Sequence, residues 1–190
     1  MFPSFSENDL VMFYKYLDKA KNYFEFGSGG STYQASIKQN IKLIISVESD
    51  TEWYTIIKNN IKHPNFHYKF IDLKCKPKNW GYPSDLCDKS IYKDYSNAIS
   101  HKIRKETANS LDLILIDGRF RVACALKCHS LINDNCKIIF DDFLNRKDYH
   151  IVLNYYEIID KTKDNRMVIL KKKINKVPGD IIKKYENIPG

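Results

Sequence analysis

The sequence predicts an α/β protein built on a mostly parallel β-sheet with helices on both faces. Short apolar runs alternate with helical patterns along most of the chain, as strand–helix–strand units require. Runs such as "KLIISV" and "LDLILID" are almost wholly apolar, which is typical of strands covered on both faces. Only the turn-like "KTKDN" separates the last two strand candidates, so they are predicted to form a hairpin that inserts one antiparallel strand.

The elements can be placed in order along the chain. Ser6 is predicted to cap a first helix, over 6–21, that puts apolar residues at helical spacing. Seven strands are expected at 23–26, 42–47, 67–73, 111–117, 136–141, 155–160 and 166–172. Helices are expected at 32–39 and 51–61 and in "YKDYSNAISHKIRK", "VACALKCHSLI" and "DYHIVLNYY". Residues 74–106 form an insertion on the substrate side, where long insertions commonly join a binding site, and 173–190 form a tail.

The composition is that of one globular domain over 1–190. Hydrophobic residues make up 43% and charged residues 28% of the chain, and no apolar run approaches the ~20 residues that span a bilayer. The start, "MFPSFSENDL", lacks the basic and apolar parts of a signal peptide. Five cysteines without a C-x-x-C pair predict neither a disulfide framework nor a zinc site. A reducing, cytoplasmic location is therefore expected.

The net charge of +8 has two interpretations. It is compatible with a nucleic-acid-binding surface, or with a solvated surface rich in lysine, since only five of the basic residues are arginine. The dense cluster "LKKKINK" near Lys171 is predicted to end an edge strand, where lysines block aggregation. The scattered lysines favour the solvated surface, so nucleic acid is the less favoured partner.

A glycine-rich loop follows the first strand, in "NYFEFGSGGSTYQAS". Glycine at positions Gly27, Gly29 and Gly30 lets the backbone approach a ligand closely, as in loops that hold phosphates or nucleosides. Thr32 stands where the G-x-G-x-x-G dinucleotide fingerprint has its third glycine. The loop indicates a nucleotide-like ligand without specifying NAD, and an ordinary Gly-Ser turn is the alternative.

Acidic residues recur at the carboxyl ends of the predicted parallel strands, which is the edge where open α/β sheets bind ligands. They are Glu48, Asp72, Asp117, Asp141 and Asp142. Glu48 lies 21 residues beyond Gly27, where a carboxylate can accept hydrogen bonds from both hydroxyls of a ribose. Any one of these acids could instead cap a helix, but their recurrence favours a site.

The segments "YFEFGSGGST", "IDGRFRVACAL" and "FDDF", with the terminal hairpin, resemble class I S-adenosylmethionine-dependent methyltransferases over nearly the whole chain. They are similar to small methyltransferases of bacterial and viral glycan synthesis, among them the methyltransferase domain of a chlorovirus multidomain glycosyltransferase that acts on rhamnose. The resemblance implies a seven-stranded Rossmann-like methyltransferase fold, S-adenosyl-L-methionine as cofactor, and methylation of a sugar hydroxyl (on a deoxyhexose such as rhamnose) in a glycan acceptor. It leaves open that the chain is part of a larger glycan-synthesis protein.

The resemblance also assigns the cofactor-binding residues. The methionine part of the cofactor would contact Glu25, Gly27, Ser28, Gly29 and Thr32, with Gly30 and Ser31 in the same loop and Asp117 opposite. Glu48 would hold the ribose with Ser49 and Trp53 beside it, and Asp72 would neighbour the adenine. S-adenosylmethionine has no phosphate, so a loop without the third glycine suits it.

The chemistry at the acceptor is predicted to depend on Asp117, Asp141 and Asp142. A sugar hydroxyl is a very weak acid, so its methylation needs a positioned base or a metal that lowers its pKa. Three acids after the fourth and fifth strands resemble the Mg²⁺ site of catechol and macrolide-sugar O-methyltransferases, which implies bound Mg²⁺ or Mn²⁺. The last ligand is often Asn in the catechol enzyme, where this chain has Asp142. A metal-free site with Asp142 or Asp141 as general base therefore stays open.

Four further residues are candidates for binding the acceptor. Arg119 and Arg121 could bind a phosphate or nucleotide diphosphate on the acceptor, or neutralise the acids. Trp80 and Tyr82 lie in the turn "NWGYP" of the insertion, so they are predicted to stack on a sugar face rather than pack in the core.

Two other functions compete with sugar methylation. An RNA or DNA methyltransferase would account for the +8 charge, but the sequence has neither an Asn-Pro-Pro-Tyr-type motif nor an arginine-rich stripe. A non-catalytic nucleoside-binding module would share the same fold. The acids at the strand ends argue against a decayed site, so a sugar O-methyltransferase is the leading hypothesis.

Overall fold

The computed structural model describes residues 1–190 and contains one seven-stranded β-sheet. Its strands are β1 (Asn22–Phe26), β2 (Leu43–Glu48), β3 (Phe66–Phe70), β4 (Leu113–Ile116), β5 (Lys137–Phe140), β6 (Tyr156–Lys161) and β7 (Val168–Lys172). They are arranged in the order β3-β2-β1-β4-β5-β7-β6. Pairing is parallel from β3 through β5, whereas β7 is antiparallel to both β5 and β6. The predicted fold class, with one antiparallel strand, is confirmed.

The helices follow the predicted alternation. They are α1 (Glu7–Leu17), α2 (Gly30–Ser36), α3 (Thr51–Asn60), α4 (Tyr92–His101), α5 (Lys105–Asn109), α6 (Arg121–Cys128) and α7 (Gly179–Tyr185). Ser6 caps α1 as predicted, since its hydroxyl accepts from the Asp9 N–H and the Asp9 carboxylate accepts from the Ser6 N–H. The segment "DYHIVLNYY" forms a 3-10 helix (Lys147–Asn154) instead of an α-helix, and the tail contains α7. No helix has the length and apolar character needed to cross a bilayer.

Two apolar cores, one on each face of the sheet, fix its position. Successive side chains of a strand point to opposite faces, and in β4 Ile114 and Ile116 join the larger core whereas Leu113 and Leu115 join the smaller one. The larger core packs α4 and α6 against the sheet, and the smaller one packs α1. Burying each such side chain contributes about 1.5–3 kcal/mol relative to exposure, so the strand ends rest on a rigid support.

Two expectations about individual elements are corrected. The lysine cluster near Lys171 does not end an edge strand, because β7 lies between β5 and β6 and the exposed edge is β6. Cys75 and Cys87 form a disulfide with their Cα atoms 4.9 Å apart, which closes a loop in the insertion. Cysteine count and spacing do not reveal such a pair, because only folding brings the two thiols together. The expected lack of disulfides was one reason to predict a cytoplasmic location, and that reason no longer holds. The location itself stays a prediction.

Candidate active site

A first cavity of about 280 Å³ opens at the carboxyl ends of β1, β2 and β4. The chain runs outward from β1 to β2 and β3 on one side and to β4 and β5 on the other, so the cavity lies where the strand order reverses. We call this space the glycine-loop cavity. It is lined by Phe2, Pro3, Ser4, Gly27, Ser28, Gly29, Gly30, Ser31, Glu48, Ser49, Asp50, Trp53, Trp80, Gly81, Tyr95, Asp117, Gly118 and Arg119.

Gly27 is the position where glycine is required. Its φ of +92° lies in the region that other residues rarely adopt. A Cβ added at Gly27 would meet the Cα of Gly118 at 2.5 Å, because the loops after β1 and β4 pack backbone against backbone here. The two glycines therefore bring the loops together at the wall of the cavity.

Glu25 and Thr32 lie beneath the loop instead of lining the cavity. Glu25 is completely buried; its carboxylate accepts from the Thr32 hydroxyl and, at 2.5 Å, from the Tyr23 hydroxyl. The Thr32 hydroxyl in turn accepts from the Gly29 N–H at 2.9 Å. Burial raises the pKa of Glu25 to about 7, although its hydrogen bonds oppose the rise. Glu25 and Thr32 were expected to contact the cofactor. In the structure they instead hold the loop in place from below.

Glu48 lines the cavity as predicted. One of its carboxylate oxygens accepts from the Ser28 N–H at 2.9 Å, and the other accepts from the N–H groups of Ser49 and Asp50 at 2.6 and 2.8 Å. Burial raises the pKa of Glu48, and these backbone hydrogen bonds act in the opposite direction. The carboxylate is thus held rigidly by backbone donors: Oε1 accepts from two N–H groups, and Oε2 accepts from one and keeps a lone pair for a further donor such as a ribose hydroxyl.

Asp72 does not reach the cavity, which corrects its expected place beside an adenine. β3 ends at Phe70, two residues earlier than the acid. The Asp72 carboxylate is half-exposed and accepts from the N–H and the Nζ of Lys74, both at 2.8 Å. These bonds lower the pKa of Asp72 and assign it to a turn.

A second cavity, of about 400 Å³, adjoins the first and is called the acid cavity here. It is lined by Ser4, Trp80, Tyr82, Asp117, Arg119, Arg121, Asp141, Asp142, Arg146 and Arg166. The two cavities have Ser4, Trp80, Asp117 and Arg119 in common. Asp117 is the one acid that lines both. Together they have the size of sites that hold a cofactor and a small partner molecule.

The predicted trio of acids does converge in the acid cavity, but on arginines. Arg121 lies 3.0 Å from Asp117, 3.5 Å from Asp141 and 3.6 Å from Asp142. Arg166 lies 3.0 Å from Asp142 and 3.2 Å from Asp141. Arg121 is nearly inaccessible and also donates to the backbone oxygens of Asp117 and Asp141. These guanidiniums neutralise the carboxylates from fixed positions.

The residues of the acid cavity do not fit the expected Mg²⁺ or Mn²⁺. No three His, Cys, Asp or Glu side chains are grouped so as to hold a metal ion. The carboxylate oxygens that would be ligands instead face cations, since Asp142 also pairs with Arg146 at 3.0 Å. A divalent cation would have to displace guanidiniums that are already within ion-pair distance. The geometry favours the alternative in which arginines neutralise the acids. The neutralising residues are Arg121, Arg146 and Arg166, and Arg119 is not among them.

Asp141 has the most perturbed environment of the three acids. Burial, and after it the adjacent carboxylate of Asp117, raise the pKa of Asp141 to about 7, although Arg121 lowers it. Asp141 is 1% exposed, and its Oδ1 has no hydrogen-bond partner despite lying near Arg166. The Asp141 carboxyl therefore holds or releases a proton near neutral pH.

Three of the five residues other than glycine that have a positive φ lie in or beside these cavities. Phe120, Trp80 and Asp142 have φ values of 55°, 62° and 56°, in the left-handed region that side chains other than glycine rarely adopt. Phe120 follows β4, Asp142 follows β5, and Trp80 lies in the insertion. Strain of this kind costs about 1–3 kcal/mol for each residue and is typical of functional sites. Trp80 is 79% exposed and lines both cavities, and its predicted place at the acceptor stays a prediction.

Several lining residues escaped the sequence analysis. Arg146 and Arg166 come from segments without a recognisable motif, and Tyr95 comes from α4. One signal was available: the chain has only five arginines among 31 basic residues. Four of the five line the acid cavity. In a lysine-rich chain, arginine marks positions that need a rigid, forked cation.

Comparison with known proteins supports the fold. No family model and no curated protein matches the sequence. The crystal structure of a methyltransferase-like protein from Silicibacter pomeroyi matches with a TM-score of 0.81 and 24% identity, over 98% of this chain and 97% of that chain. Ribosomal protein L11 methylase from Lactobacillus delbrueckii matches with a TM-score of 0.55 and 15% identity, over 89% and 81%. An RNA methyltransferase from Salinibacter ruber, in complex with S-adenosyl-L-homocysteine, matches with a TM-score of 0.54 and 11% identity, over 94% of this chain and 98% of that chain.

These likenesses define the class of the fold. The three structures are a methyltransferase-like protein and two methyltransferases, and this chain shares their Rossmann-like fold along nearly its whole length. Identities below a quarter establish the fold and leave the acceptor to be argued from this chain's own residues.

Proposed function

We propose that the protein is an S-adenosylmethionine-dependent O-methyltransferase that acts on a sugar hydroxyl in a glycan, as on rhamnose or a related deoxyhexose. The observation that carries the proposal is the junction of the two cavities at Asp117. One cavity presents a glycine loop and a rigid carboxylate, Glu48, and the other presents acids and aromatic side chains.

The glycine-loop cavity suits the cofactor. Oε2 of Glu48 can accept from a ribose hydroxyl, and the bare backbone around Gly27 allows close approach of the methionine part. The loop offers no lysine for a phosphate, and S-adenosylmethionine carries none. When bound, this cofactor supplies a methyl group that is activated by a sulfonium. Binding in the micromolar range, about −8 kcal/mol, is expected.

Asp117 is the proposed general base. It lines both cavities, so its carboxylate lies where an acceptor hydroxyl and a methyl donor would meet. Asp117 would take the hydroxyl proton as the oxygen attacks, and Asp141 beside it can share that proton. Arg121 keeps the ionised pair stable in a buried place. Asp142 is engaged by two arginines at 3.0 Å and is left to orient them.

A sugar acceptor agrees better with this cavity than nucleic acid does. Trp80 and Tyr82 border it and can stack on a sugar face. The lysines responsible for the +8 charge lie elsewhere, since none lines either cavity.

The decisive experiment separates cofactor from acceptor. Calorimetry should detect binding of S-adenosylhomocysteine to the protein and no binding of NAD. Transfer of labelled methyl groups should occur to rhamnosyl oligosaccharides and not to RNA or DNA. Asp117→Asn should lower kcat by about 10²–10⁴-fold, whereas the exposed control Asp94→Asn should leave it unchanged. Binding of NAD alone would refute the cofactor, and methylation of nucleic acid alone would refute the acceptor.

A further inference from the structure

Arg119 differs from the other three arginines of the acid cavity. Arg121, Arg146 and Arg166 each lie within 3.0 Å of an aspartate carboxylate. Arg119 has no carboxylate within ion-pair distance, and its Nε and Nη1 have no hydrogen-bond partner. It is nevertheless 6% exposed. A buried guanidinium without an acceptor is costly, so the fold retains a cation that its own residues do not satisfy.

Tyr82 fixes the direction of this guanidinium. The central carbon of the Arg119 guanidinium lies 4.1 Å from the centroid of the Tyr82 ring, in a cation–π contact. Arg146 donates to the Tyr82 hydroxyl at 3.4 Å, which ties the ring to the ion-pair network. Arg119 is therefore positioned before any ligand binds. Tyr82 lines the acid cavity and not the glycine-loop cavity, so the Arg119 guanidinium that stacks on it is assigned to the acceptor side.

We infer that Arg119 binds an oxyanion carried by the methyl acceptor, a phosphate or a carboxylate on the same molecule as the reacting hydroxyl. The planar fork of a guanidinium matches two oxygens of such a group. Arginine is rare in this lysine-rich chain, and here its fork is neither bonded to a carboxylate nor open to solvent. The inference rests on the proposed function and makes it more specific: the acceptor is an anionic glycan, in which a phosphate or a uronic acid accompanies the methylated deoxyhexose.

The test uses inorganic phosphate and glucuronate as probes in the presence of S-adenosylhomocysteine. Calorimetry should detect millimolar binding of at least one probe to the wild type, and Arg119→Gln should weaken it by about tenfold or more. Arg119→Lys should recover part of the affinity by keeping the charge. Arg104→Gln is the matched control, because Arg104 is exposed and lines neither cavity. Equal affinity of the wild type and Arg119→Gln would overturn the inference.

A measurement on the wild type guards against a variant that fails to fold. The ¹H–¹⁵N resonance of the Arg119 Nε–H should move as either probe is added, while that of Arg104 stays in place. A stationary Arg119 resonance over tens of millimolar of both probes would overturn the inference without any variant.

The oxyanion could instead be the carboxylate of the cofactor's methionine part, since Arg119 also lines the glycine-loop cavity. In that case Arg119→Gln would lower the affinity for S-adenosylhomocysteine by about tenfold. The affinity for methylthioadenosine, which lacks the carboxylate, would be unchanged. That outcome would overturn the assignment to the acceptor. Probe binding needs no methyl transfer, so this result stands apart from success or failure of the transfer assay.

Discussion

Glu25 should make the protein less stable as the pH rises, and Glu25→Gln should remove that dependence. Burial raises the pKa of Glu25 from its ordinary 4.5 to about 7, so the folded state favours the protonated carboxyl. The favourable contribution is complete below pH 4.5 and is lost as pH rises through 7. At about 1.4 kcal/mol for each unit between the pKa values of 4.5 and about 7, the ionised carboxylate costs about 3 kcal/mol at pH 8.

The substitution isolates this effect because Gln resembles the protonated side chain. It keeps one oxygen to accept from Thr32 or Tyr23 and replaces the proton-bearing oxygen with an amide. Wild type and Glu25→Gln should therefore be similarly stable at pH 5, and the variant should be about 3 kcal/mol more stable at pH 8. Asp141, whose pKa is also raised, titrates in both proteins and cancels in the difference.

The assay is urea unfolding at several pH values between 5 and 8, compared as free energies of unfolding. Glu157→Gln serves as the matched control, because Glu157 is exposed on β6 and stays in solvent in both states. A difference between wild type and Glu25→Gln that is flat with pH, or that favours the wild type at pH 8, would refute the reasoning.

Two further predictions concern the cavities. Gly27→Ala should fold but lose about tenfold or more in affinity for S-adenosylhomocysteine, measured by calorimetry, because it combines a φ of +92° with overlap on Gly118. Gly179→Ala, whose Cβ meets nothing within 4 Å, should bind normally, and unchanged binding by both variants would contradict the expected strain. Since the pKa of Asp141 is raised to about 7, kcat/KM should fall as pH drops below about 7. Asp141→Asn should move that limb to lower pH, and an unmoved limb would show that Asp141 is uncoupled from the base.

Local sequence was sufficient to predict the helix cap at Ser6, the alternation of strands and helices, and the glycine loop. Each depends on residues that are close together along the chain: a capping hydroxyl, a run of apolar side chains, or glycines after a strand. Glu48 could be placed for the same reason, because the carboxyl ends of adjacent parallel strands must meet at one edge.

Residues that face each other across the sheet could not be predicted in this way. Whether Glu25 lines the cavity or supports it depends on which way its strand faces, and whether Asp72 reaches the site depends on where β3 ends. The disulfide between Cys75 and Cys87 depends on how the insertion folds back on itself. A shift of one or two residues in a strand reverses such outcomes, and local patterns place strand ends no more finely than that.

The sequence by itself determined the fold class and the edge of the sheet where the cavities open, because the periodicity of apolar residues and the sequence positions of the strand ends are properties of the chain. Only the tertiary structure decided the partners of the acids. Arg146 and Arg166 reach Asp142 from positions 4 and 24 residues away, and they form ion pairs where the acids alone predicted a metal. Arg119 and Arg121 lie two residues apart in one motif, but Arg121 neutralises an aspartate whereas two nitrogen atoms of Arg119 have no partner. The direction of each side chain decides this difference, because electrostatic energy depends on distances in space and not along the chain.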